Sequence, residues 1–428
     1  MSTPEAITQA VQAQYEAFPY PPVPIEHTPG MTPYCSYALG HYARTRTVGS
    51  PQGKRALVAG CGSGHEIHLV VASNPGVAEV VGVDLSHQSI ALAEARLRHH
   101  HLHQCRAQVG NLLDAPTLPA GPFDWIVSFG VIHHTGDPVL ALKNLEQKLA
   151  PGGTMALMLY NRDGRYPVYQ IRRALELLGS SQMTSAQQID LARTVLAGAQ
   201  PGTITAAHQL GNAAYYAHDE NVIDNFFHPQ DQPFTIAEID QLLTAAGLEF
   251  LDVVPDPHSW RLETILSPIC ADLYQRYQQL SRLEQLRLME LLHPSGRSCT
   301  VFWCCRAGEK TAPASAPIES SLWQLNPYFD HWGSLTWQGQ PLALADPPPF
   351  AGDGHVDLHW DLCHGAGQVE RLSLGQWALL ASIADHPRKG SRLLAHAPDD
   401  WGERWQHWEQ ERLVLRVGDV ASGGGLAS

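Results

Sequence analysis

The sequence has little positive charge. It carries 28 Lys and Arg against 42 Asp and Glu, which gives a net charge of −14. Proteins that bind nucleic acid irrespective of its sequence depend on clustered Lys and Arg to neutralise the phosphates. The acidic balance therefore argues against a nucleic-acid partner.

Other features are also missing. No run of about 18 apolar residues predicts a membrane span, and the first 20 residues contain Glu5 and Glu16 but no Lys or Arg, unlike a secretory signal. The eight cysteines include no CxxC pair, which disfavours a zinc ribbon or a redox dithiol. The run HHHLHQC (99–105) falls between a predicted helix and strand, so its side chains should diverge. We expect a cytoplasmic protein with reduced thiols, no membrane partner and no metal site.

The middle of the chain alternates between two patterns. Short apolar runs typical of buried strands alternate with segments of helical spacing, which favours a doubly wound α/β sheet. The strand-like runs are ALVAG, EVVGVDL, CRAQVGNLL, FDWIVSFGVI and TMALMLY, and the helix-like segments include HQSIALAEARL and PVLALKNLEQKLAPGG, the last closed by a Pro-Gly-Gly turn.

The flanking segments differ in composition. Residues 1–50 predict a helix followed by an extended strap, FPYPPVP. The α/β domain is expected at 51–308, with a mostly helical insertion at about 162–234, and a Pro/Ala/Ser-rich linker at 309–321. After the insertion, Thr235 and Glu238 predict a capping box that starts a helix. LEFLDVV and CTVFWCC are two further strand-like runs, and a long helical stretch is predicted between them at 268–292.

Residues 322–428 predict a small C-terminal α+β accessory domain with the order helix, helix, strand, resembling a winged helix, and its tryptophans are expected to form a core stripe. The segment has 13 acidic residues against 7 Lys and Arg, so we expect protein docking or a homodimer contact and not DNA reading.

A glycine turn lies at the end of the first predicted strand, in RALVAGCGSGHEI (55–67). Such a turn lets a ligand approach the backbone and the N-terminus of the next helix. Asp84, at the end of the second strand, is placed to accept both hydroxyls of a ribose. The pair suits a nicotinamide dinucleotide or S-adenosylmethionine, although the G-x-G-x-x-G spacing of the dinucleotide site is broken by Ile67.

Five motifs, taken in their order along the chain, resemble those of a known family and so decide between these two cofactors. VAGCGSG, GVDLS, GNLLD, FDWIVSFGVIHHTGDP and LAPGG resemble the class I S-adenosylmethionine-dependent methyltransferases over about 54–160. The resemblance implies a seven-stranded Rossmann-like sheet, with LEFLDVV as the sixth strand and CTVFWCC as an antiparallel seventh. It also implies S-adenosyl-L-methionine as cofactor, held by Gly60, Cys61, Gly62, Gly64, Asp84, Leu85, Asn111, Leu112 and Phe129.

Two positions depart from the family pattern. Many relatives carry an acidic residue where this chain has Val58, supporting the amino group of the cofactor, and many carry Asp where it has Asn111. The first departure leaves the methionine end of the cofactor without its usual carboxylate.

The acceptor side is expected where the fourth strand ends. His133 and His134 are candidate catalytic bases, since imidazole is neutral near physiological pH. The alternative is that one histidine packs under the next helix and the other caps it. Candidates for the acceptor pocket or its lid, for which packing is an equal alternative, are Tyr15, Tyr20, Tyr160, Asn161, Phe227 and His228.

These observations predict a methyltransferase acting on a nitrogen or oxygen. SFGV stands where many amino- and amide-N-methyltransferases carry (N/D)PP(Y/W), which disfavours that geometry. The C-terminal domain slightly favours a protein side chain as acceptor, for example an asparagine of a phycobiliprotein, whereas the insertion favours a small metabolite. Two hypotheses of a different class also stand, namely a non-catalytic interaction protein that keeps the fold and an NAD-dependent oxidoreductase.

Overall fold

The structure is a computed structural model of the 428-residue chain. It describes residues 3–254, 260, 262, 266, 271–293, 298–311, 321–326, 329, 333–337, 340–344, 356–360, 368–384, 387–389, 393, 401–410 and 413–417. Most of the predicted linker, 312–320, lies outside this set. Within it, no helix is both long and apolar enough to cross a membrane.

A seven-stranded sheet organises the first three quarters of the chain. Its strands are β1 (Arg55–Ala59), β2 (Glu79–Asp84), β3 (Cys105–Val109), β4 (Phe123–Phe129), β5 (Leu149–Tyr160), β6 (Leu248–Val253) and β7 (Cys299–Arg306). Their order is β3-β2-β1-β4-β5-β7-β6. The first five are parallel, and β7 runs antiparallel to both of its neighbours. This is the predicted methyltransferase-like topology, with the sixth and seventh strands where the sequence places them.

The strand order fixes the position of a binding site. Strands β1 and β4 are neighbours in the sheet. The strand that follows β1 in the chain, β2, lies on one side of this pair, and the strand that follows β4, β5, lies on the other side. Ligands bind beyond the carboxyl ends of the strands at such a switch point. The glycine turn after β1 and the histidines after β4 both lie at this edge.

Helices cover both faces of the sheet. In the first half of the chain they are α1 (Pro4–Ala17), α2 (Tyr37–Thr45), α3 (His65–Ser73), α4 (His87–His99) and α5 (Pro138–Glu146). Helix α10 (Ile236–Ala245) begins at the predicted capping box, in which Thr235 accepts from the amide of Glu238 and the Glu238 carboxylate accepts from the amide of Thr235.

One prediction about a helix end is wrong. Helix α5 ends at Glu146, and LAPGG does not close it but begins β5, with an irregular register opposite Phe123. The stretch predicted at 268–292 is helical over its described residues 271–292, where it is divided into α11 (Ala271–Gln278) and α12 (Arg282–Leu292). The reason is a second capping box, in which Ser281 and Glu284 start a new helix.

The predicted insertion is helical and has its own apolar cluster. It comprises α6 (Tyr166–Leu177), α7 (Ser185–Ala197), α8 (Ile204–Asn212) and α9 (Asp219–Phe226). These helices lie between β5 and α10 in the chain and pack on one another around Leu175, Leu196 and Phe226.

The C-terminal region consists mainly of antiparallel strands. They are β8 (Leu322–Leu325), β9 (Gly333–Trp337), β10 (Gln340–Leu342), β11 (Val356–Trp360), β12 (Gln368–Leu372), β13 (Arg388–Lys389) and β14 (Val414–Val417), with helices α13 (Leu374–Ser382) and α14 (Trp401–Gln410). Helices α13 and α14 and strand β14 follow one another in the order expected from the sequence, with the two-residue strand β13 between the helices. Trp323, Trp405 and Trp408 are buried together as a core, as predicted for a tryptophan stripe.

Candidate active site

The turn after β1 is shaped by glycine. Gly60, Gly62 and Gly64 all have positive φ, at 78°, 48° and 82°, which side chains disfavour. A Cβ at Gly60 would overlap Val131, and one at Gly62 would overlap the carbonyl oxygen of Tyr20. The turn therefore brings the backbone close to whatever lies above it.

A cavity of about 290 Å³ lies above this turn, at the carboxyl ends of β1, β2 and β4. Eleven of the residues that the sequence singled out line it: Gly60, Gly62, Asp84, Leu85, Asn111, Leu112, Phe129, His134, Tyr15, Tyr20 and Tyr160. Segments far apart in the sequence thus meet around one space.

Asp84 lies at the floor of this cavity. One carboxylate oxygen accepts from the Gly62 amide at 2.8 Å and the other from the Ser86 amide at 3.0 Å. Burial raises the pKa of Asp84, and the two amides act against that rise. Each oxygen keeps a further lone pair, so the carboxylate can still accept from two hydroxyls.

Asn111 is placed at the cavity wall with its side-chain oxygen already engaged. That oxygen accepts from the Leu113 amide at 2.9 Å, which fixes the turn after β3. The amide group of Asn111 therefore remains as a donor, and its oxygen keeps one lone pair for a ligand.

The N-terminal segment covers the cavity. Thr8, Val11 and Tyr15 of α1 line it, and so do Tyr20 and Pro21 of the strap. The Ser63 amide donates to the Tyr20 carbonyl at 3.0 Å, and the Ser63 hydroxyl donates to the Pro21 carbonyl at 2.9 Å. The strap is thus fastened to the glycine turn itself.

Arg96 of α4 provides the second attachment of the strap. This arginine is 1% exposed, and its guanidinium donates to the carbonyls of Val23, Pro24 and Ile25 as well as to Ser63. The carbonyls of strap residues 23–25 therefore all accept from this one buried cation, and the Ile25 carbonyl also accepts from the His100 ring at 2.7 Å.

Six of the residues singled out from the sequence do not line the cavity, and each has an identifiable place. Cys61 is fully buried behind the turn, where a Cβ at Gly82 would contact it, and Gly64 packs on Ala93 of α4. Asn161 is 1% exposed and donates to Glu290 at 2.6 Å and to Thr300 at 3.3 Å. The remaining three are Phe227, packed with the insertion cluster, and two histidines described below, His133 and His228.

His134 and His133 differ in their surroundings. His134 lines the cavity, and its Nδ1 donates to the Gln230 carbonyl at 2.6 Å, while its Nε2 is buried with no partner among the described residues. His133 is 0% exposed behind it, with its ring 3.9 Å from that of Tyr160. Burial lowers the pKa of both imidazoles, so both are neutral at pH 7.

A hydrogen-bond chain runs beside His134. The Nδ1 of His228 accepts from the Gln230 amide at 3.1 Å, so its Nε2 carries the proton and donates to the Tyr15 hydroxyl at 3.2 Å. Tyr15 and Tyr160 in turn donate to the two oxygens of Asp224, at 3.1 Å and 3.0 Å. Asp224, which sequence reasoning missed, thus places a buried carboxylate at the cavity wall.

This cluster resembles a metal site only in its distances. Ligand atoms of His134, Asp224 and His228 all lie within 4.8 Å of one another. However, the Nε2 of His228 is used as a donor to Tyr15, and the two imidazole rings are stacked with centroids 3.8 Å apart. The one lone pair of this His228 tautomer, on Nδ1, is already used by the Gln230 amide, so His228 has none left for an ion.

A second and larger cavity adjoins the first. Its volume is about 1230 Å³, and it shares Tyr20, Met158 and Tyr160 with the smaller cavity. Helices α6 and α8 of the insertion line it, together with charged side chains that include Arg162, Asp163, Arg165, Arg287 and Glu290. The two spaces meet at a wall of two tyrosines and a methionine.

Glu66 is the other functional candidate that sequence reasoning missed. It lies on the first turn of α3, lines the smaller cavity and has one carboxylate oxygen that is buried without a partner among the described residues. The sequence signal for Glu66 was its place in RALVAGCGSGHEI, two residues after Gly64. Nothing in the local pattern distinguished it from a helix-capping acid.

Comparisons with known proteins agree with this geometry. A family model described as a methyltransferase domain matches residues 57–155. An uncharacterized protein from Synechococcus sp. is 30% identical over 305 residues, which cover 68% of this chain and 70% of that protein.

Two further relatives match shorter parts. A tRNA U34 carboxymethyltransferase from Actinobacillus succinogenes is 27% identical over 202 residues, or 43% of this chain, which spans 58% of that protein. An uncharacterized phycocyanin operon protein W from Pseudanabaena tenuis is 38% identical over 98 residues, covering 22% of this chain and 91% of the relative.

Among solved structures, PKMT2 from Rickettsia typhi in complex with AdoHcy has the same fold. It superposes with a TM-score of 0.60 at 15% identity and covers 93% of this chain and 77% of that one.

Proposed function

Because this chain belongs to the class I S-adenosylmethionine-dependent methyltransferases, we propose that it methylates a nitrogen or oxygen atom presented from the larger cavity. The chain is an enzyme of this family, and its methyl donor is S-adenosylmethionine. The residues present fit that cofactor: a side-chain-free glycine turn and a buried carboxylate at Asp84 face one cavity.

The proposed holding residues follow from this arrangement. Gly60 and Gly62 would lie against the methionine part of the cofactor, Asp84 would accept from the ribose, and Leu85 and Asn111 would contact the adenine. When bound, the cofactor supplies an electrophilic methyl group on a sulfonium. The chain must then align the acceptor, keep water out and take up any proton the acceptor loses.

His134 is suited to take up that proton. Its Nδ1 is committed as a donor to Gln230, so the lone pair is on Nε2, the nitrogen without a partner among the described residues. Burial keeps the ring neutral, and the nearby carboxylate of Asp224 stabilises the imidazolium that proton transfer forms. His133 does not line the cavity and is assigned a packing role under Tyr160.

The larger cavity carries the proposal about the acceptor. Small-molecule sites typically measure roughly 300–1000 Å³, whereas this one is about 1230 Å³ and includes five charged residues in its wall. Those properties support an acceptor that is part of a larger polar molecule, a protein side chain. An asparagine of a phycobiliprotein is one example, and the name of the Pseudanabaena tenuis relative is compatible with it.

A small metabolite is the second candidate. It is favoured by the helical insertion, because α6 and α8 wall the cavity and would enclose a compact molecule. A nucleic-acid acceptor, which the name of one relative raises, is disfavoured by the net charge of −14. We further propose that the protein acts in the cytoplasm and that the C-terminal region docks a protein partner or forms a homodimer.

Methyl transfer in a lysate tests the acceptor class. The protein is incubated with methyl-labelled S-adenosylmethionine and a lysate of the source organism, and protein and small-molecule fractions are counted separately. Label in protein supports the side-chain acceptor, label only in small molecules supports the metabolite, and no label in either contradicts both.

His134→Gln tests the proton acceptor. We expect kcat to fall by roughly 100-fold or more, the usual contribution of a general base, while the affinity for AdoHcy stays within about twofold. The exposed histidine His103 provides the control, since His103→Gln should leave both quantities unchanged. An unchanged kcat in His134→Gln would remove the histidine from the mechanism.

A further inference from the structure

We propose that Glu66 binds the α-ammonium group of the cofactor and so replaces the carboxylate that many relatives carry at the position of Val58. The proposal rests on the cofactor assignment given above, and it names the residue that completes the methionine end of that site.

The first support is the position of Glu66 in the cavity. It lies on the first turn of α3, directly after the glycine turn, and lines the same cavity as Gly60 and Gly62. Asp84 faces that cavity from the end of β2 and suits the ribose. A second carboxylate on the α3 side is therefore available for the opposite, methionine end of a ligand that lies along the turn.

The second support is an unmet hydrogen-bonding need. One oxygen of the Glu66 carboxylate is shut off from solvent and has no partner among the described residues. No ion pair within 4 Å is found for Glu66 in the part of the chain that the structure describes. A buried carboxylate oxygen without a donor is costly, and an ammonium group has three N–H donors to offer it.

The third support is the apolar surroundings of position 58 in this chain. Val58 is 1% exposed and belongs to an apolar cluster with Cys61 and Trp125. A carboxylate at that position would be desolvated among apolar side chains. Glu66 instead lies in the wall of a cavity and is only partly buried as a residue.

The electrostatics of Glu66 give the proposal a pH signature. Burial, followed by the negative charge of Asp84, raises the pKa of Glu66 to about 7, while a hydrogen bond from its own backbone amide and the charge of Arg96 act in the opposite direction. Binding a cation favours the ionised carboxylate, so the ligand must displace a proton below this pH. The ionisable groups that interact with Glu66 from the surrounding elements are Tyr20, Cys35, Cys61, Asp84 and Arg96.

Calorimetry on the full chain with two ligands tests the assignment. AdoHcy carries the amino-acid end, and 5′-methylthioadenosine has the adenosine and sulfur without it. We expect Glu66→Gln to weaken AdoHcy binding by roughly 10- to 100-fold, as for a lost charged hydrogen bond, and to change methylthioadenosine binding by less than about twofold. Glu94→Gln, at an acid on the outer face of α4 with 52% side-chain exposure, is the matched control.

The pH dependence provides an independent readout. In the wild type, AdoHcy affinity should rise between about pH 6 and pH 8 with release of a proton, and in Glu66→Gln the affinity should be flat over that range. Glu66→Asp, which keeps the charge but shortens its reach, should show partial loss of affinity and retain the pH dependence. This second variant keeps the test informative if the Gln variant proves unstable.

The outcomes separate the role of Glu66 from the cofactor assignment. Equal weakening of both ligands, or no weakening of AdoHcy, would overturn the role of Glu66 while leaving the cofactor site intact. Failure of the wild type to bind AdoHcy at all would overturn the cofactor assignment itself.

Discussion

Arg96 allows the attachment of the N-terminal strap to be tested most directly. The residue is 1% exposed, and its guanidinium donates to the carbonyls of Val23, Pro24 and Ile25 at distances between 2.6 Å and 3.3 Å. In Arg96→Ala these three carbonyls lose their charged donor. The strap also forms a wall of the smaller cavity, so its detachment should weaken binding of a ligand in that cavity.

The expected size of the effect follows from those bonds. A hydrogen bond to a charged group contributes about 1.5–3 kcal/mol, so three of them sum to roughly 4–9 kcal/mol of local stabilisation. Other hydrogen bonds to the strap remain in this variant, among them two from Ser63 and one from the His100 ring to the Ile25 carbonyl, so the contribution of the charged donor is lost while these stay. A segment that loses this much detaches on its own while the sheet stays folded. The global free energy of unfolding should therefore fall by less than the sum of the lost bonds.

Hydrogen exchange read by mass spectrometry on peptides covering residues 18–27 measures the detachment. We expect these amides to lose protection in Arg96→Ala, and AdoHcy affinity to fall by at least about tenfold. Arg98→Ala is the control on the same helix, because the Arg98 side chain is 71% exposed and pairs with Glu94 at 3.7 Å. A surface pair of this kind is worth about 0–1 kcal/mol.

Wild-type protection of residues 18–27 in Arg96→Ala would refute this reasoning. It would mean that the strap is held by its packing on α3 and the glycine turn, and that the carbonyl contacts of Arg96 add nothing measurable.

Three further predictions follow from single residues of the site. Asp84→Ala should weaken AdoHcy binding by roughly 10- to 100-fold in calorimetry, because Asp84 also accepts from the Gly62 amide and shapes the turn; unchanged affinity would contradict the site. Asn161→Ala should lower the free energy of unfolding in urea by about 1–3 kcal/mol, since it removes a buried donor from Glu290, and a changed AdoHcy affinity with normal stability would argue against this structural role. His133 is buried with its pKa well below the ordinary 6.5, so the folded state stays neutral where the unfolded chain gains a proton. Stability should thus fall as pH drops below about 6.5, by up to about 1.4 kcal/mol per pH unit for this group. His133→Phe should remove that part of the slope, and a slope equal to that of the wild type would contradict it.

The sequence was informative wherever the signal is local. Apolar runs bounded by turns predicted all seven strands of the main sheet, and the Thr235 and Glu238 pair predicted the start of α10. The glycine turn and Asp84 were predictable because each is defined by its place at the end of one strand. These signals depend on backbone sterics and on the order of a few neighbouring residues.

Local signals failed at helix boundaries. The Pro-Gly-Gly sequence at 151–153 looked like a helix stop, yet β5 begins before it, where Leu149 pairs with Phe123 of β4, and regular pairing resumes after it at Thr154. The helical stretch predicted at 268–292 gave no division, although the capping box at Ser281 starts a second helix within it. In the first case a tertiary contact outweighed the local preference, and in the second the division was encoded locally by Ser281 and Glu284.

The chemistry of the site depends on distant segments. Tyr15, His134, Tyr160, Asp224 and His228 come from distant parts of the chain and form one cluster of hydrogen bonds and stacked rings. Composition and periodicity show that such residues are buried, but not which distant side chain each one meets. Asn161, for example, follows β5 and could have faced the cavity, whereas in the structure it donates to Glu290.

The sequence by itself thus determined the strands of the main sheet, the glycine turn and the position of Asp84, because short-range sterics and hydrophobic spacing encode them. The tertiary structure alone decided which histidine faces the cavity and which side chains line the larger cavity. It also placed Glu66 beside the glycine turn, in the wall of the smaller cavity. Val58 lies in the apolar cluster instead and does not line that cavity. The physical reason is that burial and charge pairing at these positions are set by contacts between residues far apart in the chain, such as Tyr15 and Asp224, which are separated by 209 positions.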